Sequence, residues 1–149
     1  VTQVYRLVRA ARAPDVLSGE GARLYGGRWN PPGVAVVYAS ESRALAVLEA
    51  FVHLTLEARA MRFLLYAITL PARARLQRAA RARRAPSAAS QRIGRAWVDD
   101  GKALALVVPS VIVPQETNYV LNVRHPQFAE IEIGRPESFS FDERLWRSS

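Results

Sequence analysis

At 149 residues the chain is most economically one domain, and with half its residues apolar and 23% charged it has a globular rather than a disordered composition. No apolar run approaches the ~20 residues that a membrane-spanning helix needs, and the lack of cysteine excludes disulfides and thiolate zinc sites. The formal charge of +8 is carried almost wholly by arginine, Lys102 being the one lysine. Such a charge reflects either arginine-favouring, GC-rich coding or an anionic partner: nucleic acid, a nucleotide phosphate or an acidic protein.

The opening residues Val1–Arg6 carry no secretory or transit pattern, so the cytoplasm is the expected location. Val4–Val8 reads as a first strand. A glycine-rich stretch follows, with the run Tyr25-Gly-Gly-Arg-Trp-Asn-Pro-Pro-Gly33, and then the compact β-branched strand Val34–Ala39. Ser40 is placed to cap a helix reaching Leu54, with Glu41 in its first turn. Arg62–Leu70 is a further strand, stopped by Pro71, and the Ala/Arg-rich segment 72–84 has helical composition. A helix over Pro86–Asp100 ends at Gly101. Ala103–Val108 is a strand leading into Pro109 and Ser110, and Val111–Val113, Tyr119–Leu121 and Ile131–Ile133 are short β candidates. Ser138–Asp142 alternates as an edge strand does. This mixture, without repeats or a dividing linker, predicts a single α+β domain.

Within the helix after Ser40, Leu45, Leu48, Glu49 and Val52 fall at i, i+3, i+4 and i+7, which puts a carboxylate on an apolar stripe. An isolated buried carboxylate is too costly to stand alone. Arg28 is the nearest upstream partner, and a structural ion pair is the plain alternative to a site. Arg6, between Tyr5 and Leu7, reads most simply as an edge-strand arginine facing water. Tyr38 reads as a core tyrosine with a satisfied hydroxyl. Ser110, Asn118 and Asn122 make up a polar cluster. His53 and His125 lack the carboxylates and spacing of a metal site, so each is expected to be structural or superficial. Gly19-Glu-Gly21 does not continue to a third glycine, and there is neither a Walker A sequence nor a G-x-S-x-G elbow.

Read together, these residues match a known pattern. Tyr5-Arg6, Ser18-Gly-Glu-Gly-Ala22, Gly26-Gly-Arg-Trp-Asn30, Gly33, Val37-Tyr38 and Ala44-Leu-Ala-Val-Leu-Glu49 come first. Ser90-Gln91, Ile93-Gly94, Trp97, Val108-Pro-Ser110, Pro114, Glu116, Asn118-Tyr-Val-Leu-Asn122, His125-Pro126 and Phe139-Ser-Phe-Asp142 follow in order. In these blocks the chain resembles the RES domain, named for an arginine, a glutamate and a serine, over essentially all of residues 1–149.

RES proteins are usually toxins of bacterial toxin–antitoxin pairs, neutralised by a Xre-type helix-turn-helix protein. The resemblance implies an ADP-ribosyltransferase-like fold, a mixed or antiparallel β core with flanking helices. It implies NAD⁺ as substrate rather than cofactor, no metal, and action as an NAD⁺ glycohydrolase or phosphorylase. Protein ADP-ribosylation from the same pocket is the alternative. It leaves open a homodimer within the toxin–antitoxin complex.

The residues carried over by the resemblance are Glu49, Arg28, Tyr38 and Ser110 for catalysis, and Arg6, Arg28, Tyr38 and Asn118 for substrate binding. Cleaving the nicotinamide–ribose bond passes through an oxocarbenium-like state, which an anionic Glu49 stabilises. Arg6 and Arg28 offer planar forks to the pyrophosphate. Tyr38 offers a ring face to nicotinamide or a hydroxyl to ribose, and Ser110 contacts ribose or orients Glu49 rather than acting as a nucleophile. The chain departs from the pattern in the arginine-rich 72–84 and in Arg95, where an acidic residue is expected. A nucleic-acid-binding module built on the arginines of 73–84 is a lower-ranked reading, since no aromatics interleave them for base stacking.

Overall fold

A computed structural model describes residues 1–79 and 87–147. The strands are β1 (Gln3–Arg9), β2 (Val36–Ser40), β3 (Phe63–Thr69), β4 (Leu76–Arg78), β5 (Ala105–Pro109), β6 (Thr117–Asn122), β7 (Glu132–Ile133) and β8 (Glu137–Phe139). The α-helices are α1 (Glu20–Tyr25), α2 (Arg43–Phe51) and α3 (Ser87–Asp100). The strands form one sheet in the order β4-β5-β6-β2-β1-β3-β7, with β8 also on β3. β4 and β5 run parallel, bracketing α3 in the chain, and the other pairs are antiparallel. The fold is a single α+β domain on a mixed sheet.

Alternation along the central strands explains why the sheet is covered on both faces. Val4, Val8, Val37, Ala39, Ile68 and Leu121 build one cluster. Val36, Leu106, Val108 and Val120 build the other, joined there by Trp29 and by Trp97 of α3. Such doubly buried strands read as near-continuous apolar runs, and Ala105-Leu-Val-Val108 is one.

Four sequence expectations change. β1 is an interior strand, paired over all seven residues with β3, so Arg6 does not lie on an edge. Leu76–Arg78 of the expected 72–84 helix pairs with β5 instead; that strand's open edge offers ladder hydrogen bonds that override Ala/Arg helix propensity. Residues 80–84 lie outside the described set. The α2 N-cap is Ser42, whose side chain accepts from Leu45 N at 3.1 Å, while Ser40 remains in β2. Residues 111–113 form a bend rather than a strand. On α2 the stripe is buried unevenly, for Leu45 is 2% exposed but Leu48 is 36% and Val52 is 52%. No described helix is long and apolar enough to cross a membrane.

Candidate functional site

The loop that carries Arg28 is built for rigidity. Gly27 N donates to Asn30 O at 2.9 Å, closing a tight turn with Arg28 at its tip. Asn30 is fully buried, and its Nδ2 donates to the carbonyls of Ala22, Val34 and Pro31 at 2.8, 2.9 and 3.3 Å. Its Oδ1 accepts the Tyr38 hydroxyl at 2.6 Å, and that hydroxyl accepts Trp29 N at 3.0 Å. Tyr38 thus spends its hydroxyl on the loop. Burial raises its phenol well above the ordinary value, so it stays a neutral donor.

Helix α3 closes the loop from outside. Gln91 Nε2 donates to Gly27 O at 2.9 Å. One turn on, a Cβ at Gly94 would stand 1.6 Å from Trp29 O, so only glycine lets the helix seat there. A Cβ at Gly27 would meet the Tyr38 hydroxyl at 2.7 Å, which fixes that residue as well. Arg28 is half-buried, presented by a backbone with little freedom to move.

The second group gathers on α2. Glu49 Oε2 accepts from Ser110 Oγ at 2.9 Å and from Asn118 Nδ2. Both donors are neutral, so the half-buried carboxylate is held by uncharged groups. Ser110 is fully buried, and its Oγ also accepts Ile112 N at 3.1 Å and Val113 N at 3.0 Å. A serine hydroxyl has one proton and two lone pairs. All three are committed, which suits an orienting residue and not a nucleophile. Asn118 Oδ1 accepts from Ser40 Oγ at 2.6 Å. Glu41, outside the helix, accepts Thr117 N at 2.9 Å and ties the start of β6 to the β2–α2 junction.

The sheet links the groups. Tyr38 and Ser40 are two residues apart on β2 and share a face; their β6 partners are Val120 and Asn118. β1 pairs with β2 at Tyr5↔Ser40 alone, after which the strands part. Arg6, on the opposite face from Tyr5, fills the gap, and its Nη1 donates to Tyr38 O at 2.8 Å. Its Nε is buried without a hydrogen-bond partner, and burial lowers the guanidinium to about 10, which leaves it charged at neutral pH.

The structure therefore brings Glu49, Ser110 and Asn118 into direct contact, and sets Arg28 on a loop pinned by Tyr38. Arg6 reaches this assembly through the Tyr38 carbonyl. Asn122 stands apart, at the far end of β6, with its Oδ1 accepting Arg124 N at 3.0 Å. His125 caps a turn through Nδ1 accepting Gln127 N, and His53 is exposed. Among the described residues no group of three or more His, Cys, Asp or Glu is placed to hold a metal ion. Sequence reasoning missed Ser40, Asn30 and Gln91 as supports. Strand alternation from Tyr38 was the available signal for Ser40; Asn30 and Gln91 stood within the blocks that carry the family resemblance, without a role assigned to either.

A carboxylate fixed by two donors to one oxygen suits a substrate that develops positive charge, and a guanidinium group such as Arg28 or Arg6 suits anionic oxygens.

The chain is 36% identical over 159 aligned positions to a protein named Prs ADP-ribosylating toxin from Sphingobium sp., covering 99% of each chain. It is 36% identical to Toxin Res of Yersinia enterocolitica, over 95% of this chain and 98% of that one. A third relative is MbcT of Mycobacterium tuberculosis, named an NAD(+) phosphorylase, with 48% identity over a 46-residue stretch that is 30% of this chain and 24% of that protein. The crystal structure of the MbcT–MbcA toxin–antitoxin complex contains a chain of the same fold (TM-score 0.74, 21% identity, 93% of this chain and 84% of that one). The family model described as RES domain matches residues 3–142, and the chain belongs to that family.

Proposed function

We propose that this protein is the toxin of a toxin–antitoxin pair and consumes NAD⁺ by cleaving its nicotinamide–ribose bond, as an NAD⁺ glycohydrolase or phosphorylase. The N-glycosidic bond breaks with its electron pair passing to the pyridinium nitrogen. Nicotinamide leaves neutral, and positive charge appears on the ribose. Water, which gives up a proton to solvent, or an anionic phosphate oxygen then adds at the same carbon. Glu49 carries the proposal: its Oε2, held by Ser110 and Asn118, is a fixed anionic acceptor for a cationic sugar or its hydroxyls. Arg28 and Arg6 serve the pyrophosphate, and the ring of Tyr38 is left to pack on substrate once its hydroxyl is committed to the loop.

The test is nicotinamide release from NAD⁺ by the purified chain, with and without inorganic phosphate. Release is expected, and Glu49→Gln is expected to lower it at least about a hundredfold. No release under either condition, or an unaffected Glu49→Gln, refutes the reading. Appearance of a phosphorylated ADP-ribose in the phosphate arm separates phosphorolysis from hydrolysis.

Transfer of ADP-ribose to a protein is the second reading, favoured by the full-length similarity to a protein named as an ADP-ribosylating toxin. Label passing from NAD⁺ to a macromolecule in lysate would support it. The partner in either case is an antitoxin protein of the Xre type, acting in the cytoplasm, and direct nucleic-acid binding is not part of the proposal. A homodimer of the toxin within that complex is compatible with both.

A further inference from the structure

Ser40 belongs to none of the arginine, glutamate or serine positions, and it is 3% exposed at the end of β2. Its neighbours are fixed by register: Tyr5 stands opposite on β1 and Asn118 opposite on β6. Asn118 is in turn opposite Val108 on β5, so its backbone is pinned on both sides and only its side-chain torsions remain free.

The two donors to Glu49 differ in how far they can adapt. Ser110 accepts from Ile112 N and Val113 N, so its single proton has one direction left, toward Glu49 Oε2. Asn118 has no such constraint of its own. A primary amide presents a donor at one end and an acceptor at the other, and turned about it would set its Oδ1 against the Glu49 carboxylate, acceptor against acceptor. In the observed orientation Nδ2 faces Glu49 and Oδ1 faces Ser40, whose hydroxyl donates to it at 2.6 Å. Without that buried hydroxyl the carbonyl end of the half-buried amide loses its donor, and an acceptor left unpaired there costs more than an average hydrogen bond contributes.

We propose that Ser40 is a positioning residue for NAD⁺ cleavage: its hydroxyl holds the Asn118 amide with the NH₂ end on Glu49. Asn118 then keeps Glu49 aimed, and Ser40 acts without touching substrate. Ser40→Ala therefore weakens the step in which charge develops, more than it weakens NAD⁺ binding. The kinetic half of this inference rests on the cleavage reading above. The structural half does not.

Both halves are tested on the purified chain. Ser40→Ala is expected to lower kcat for nicotinamide release about tenfold, the order expected of one hydrogen bond in a charged network, with KM for NAD⁺ changing less than twofold. Ser40→Thr keeps the hydroxyl in a strand-compatible side chain and is expected to stay within about threefold of the parent. Independently of turnover, the ¹⁵N side-chain amide signals of Asn118 (identified by their loss in Asn118→Asp) are expected to exchange slowly in the parent and in Ser40→Thr. They are expected to exchange faster and shift in Ser40→Ala.

Ser40→Ala with parental kcat, or with unchanged Asn118 signals, overturns the inference. So does a loss confined to KM. If the parent chain releases no nicotinamide the cleavage reading fails, while the amide signals still decide whether Ser40 orients Asn118. Should Ser40→Ala not fold, Ser40→Cys supplies a weak donor of similar size. A kcat between those of the parent and Ser40→Ala-like loss supports the role, and a parental kcat refutes it.

Discussion

Gly94→Ala separates local helix preference from the seating of α3 on the Arg28 loop, because the two predict opposite signs. In an exposed helix interior, glycine to alanine stabilises by about 1 kcal/mol. At Gly94 the new Cβ would lie 1.6 Å from Trp29 O, against 3.4 Å or more for an ordinary contact, so helix and loop must part by about 1.8 Å. That opposing atom is backbone and cannot rotate away. Overpacking of this kind costs about 1–3 kcal/mol or more, and it also strains the Gln91–Gly27 hydrogen bond one turn earlier. The net effect is destabilisation of roughly 1–2 kcal/mol, a fall in melting temperature of about 2–8 °C for a chain of this size.

Arg28 sits beside Trp29, so the displacement passes to the guanidinium, and misplacing a binding group by about 1 Å is worth on the order of a hundredfold in rate. Thermal melting and nicotinamide release together are the assay. Gly21→Ala is the control, for that α1 glycine has nothing within 4 Å of its would-be Cβ and its melting point is expected to hold or rise. A Gly94→Ala protein that melts as high as its parent with unchanged turnover would refute the close seating of α3 and the rigidity argued for Arg28.

Two further outcomes are expected. Tyr38→Phe removes the hydroxyl shared by Trp29 N and buried Asn30, destabilising by about 2 kcal/mol; KM for NAD⁺ should rise as the Arg28 loop loosens, and a parental melting curve would count against this anchoring. Asp142 is held at about 2 by its side-chain bond to Arg144, below the ordinary 3.8. A depressed carboxylate contributes its stabilisation fully above the unfolded value and loses it as pH falls from about 4 toward 2. Asp142 caps the turn Glu143–Leu145 next to Trp146, which stacks on Phe51 at 6.3 Å. Tryptophan fluorescence should therefore change in that interval, and the change should be missing in Trp146→Phe.

The strand core was legible because most of its strands are short, β-branched runs bounded by breakers, and hydrophobic alternation does not depend on partners far along the chain. Glu49 stood out for the same reason, as a charge inside a periodic pattern. What could not be read were choices made by distant partners. Ser40 and Ser42 are equally good caps by type, and the decision lies with Asn118, which claims the first. Arg6 looks like an edge residue until β3 covers one side of β1 and the Tyr38 carbonyl claims its guanidinium. The Ala/Arg run after Pro71 has helical composition, but Leu76–Arg78 adds to a sheet edge that the sequence does not display. Ser110 and Asn118 were grouped correctly with each other and wrongly with Asn122, because proximity in sequence places all three near β6 without saying which end of the strand each occupies.

Strand β2 has a metric consequence. The Arg28 loop hangs from Tyr38 and the carboxylate network from Ser40, so the separation of their anchor points is two residues of extended chain, about 7 Å. No loop length enters that distance. Insertions in the turns around 52–62 or 123–131 leave it untouched, whereas one residue added within Val36–Ser40 would send one anchor to the opposite face of the sheet. The spacing between the two halves of the site is thus a property of the peptide repeat itself, and the surface turns are free to vary around a fixed gauge.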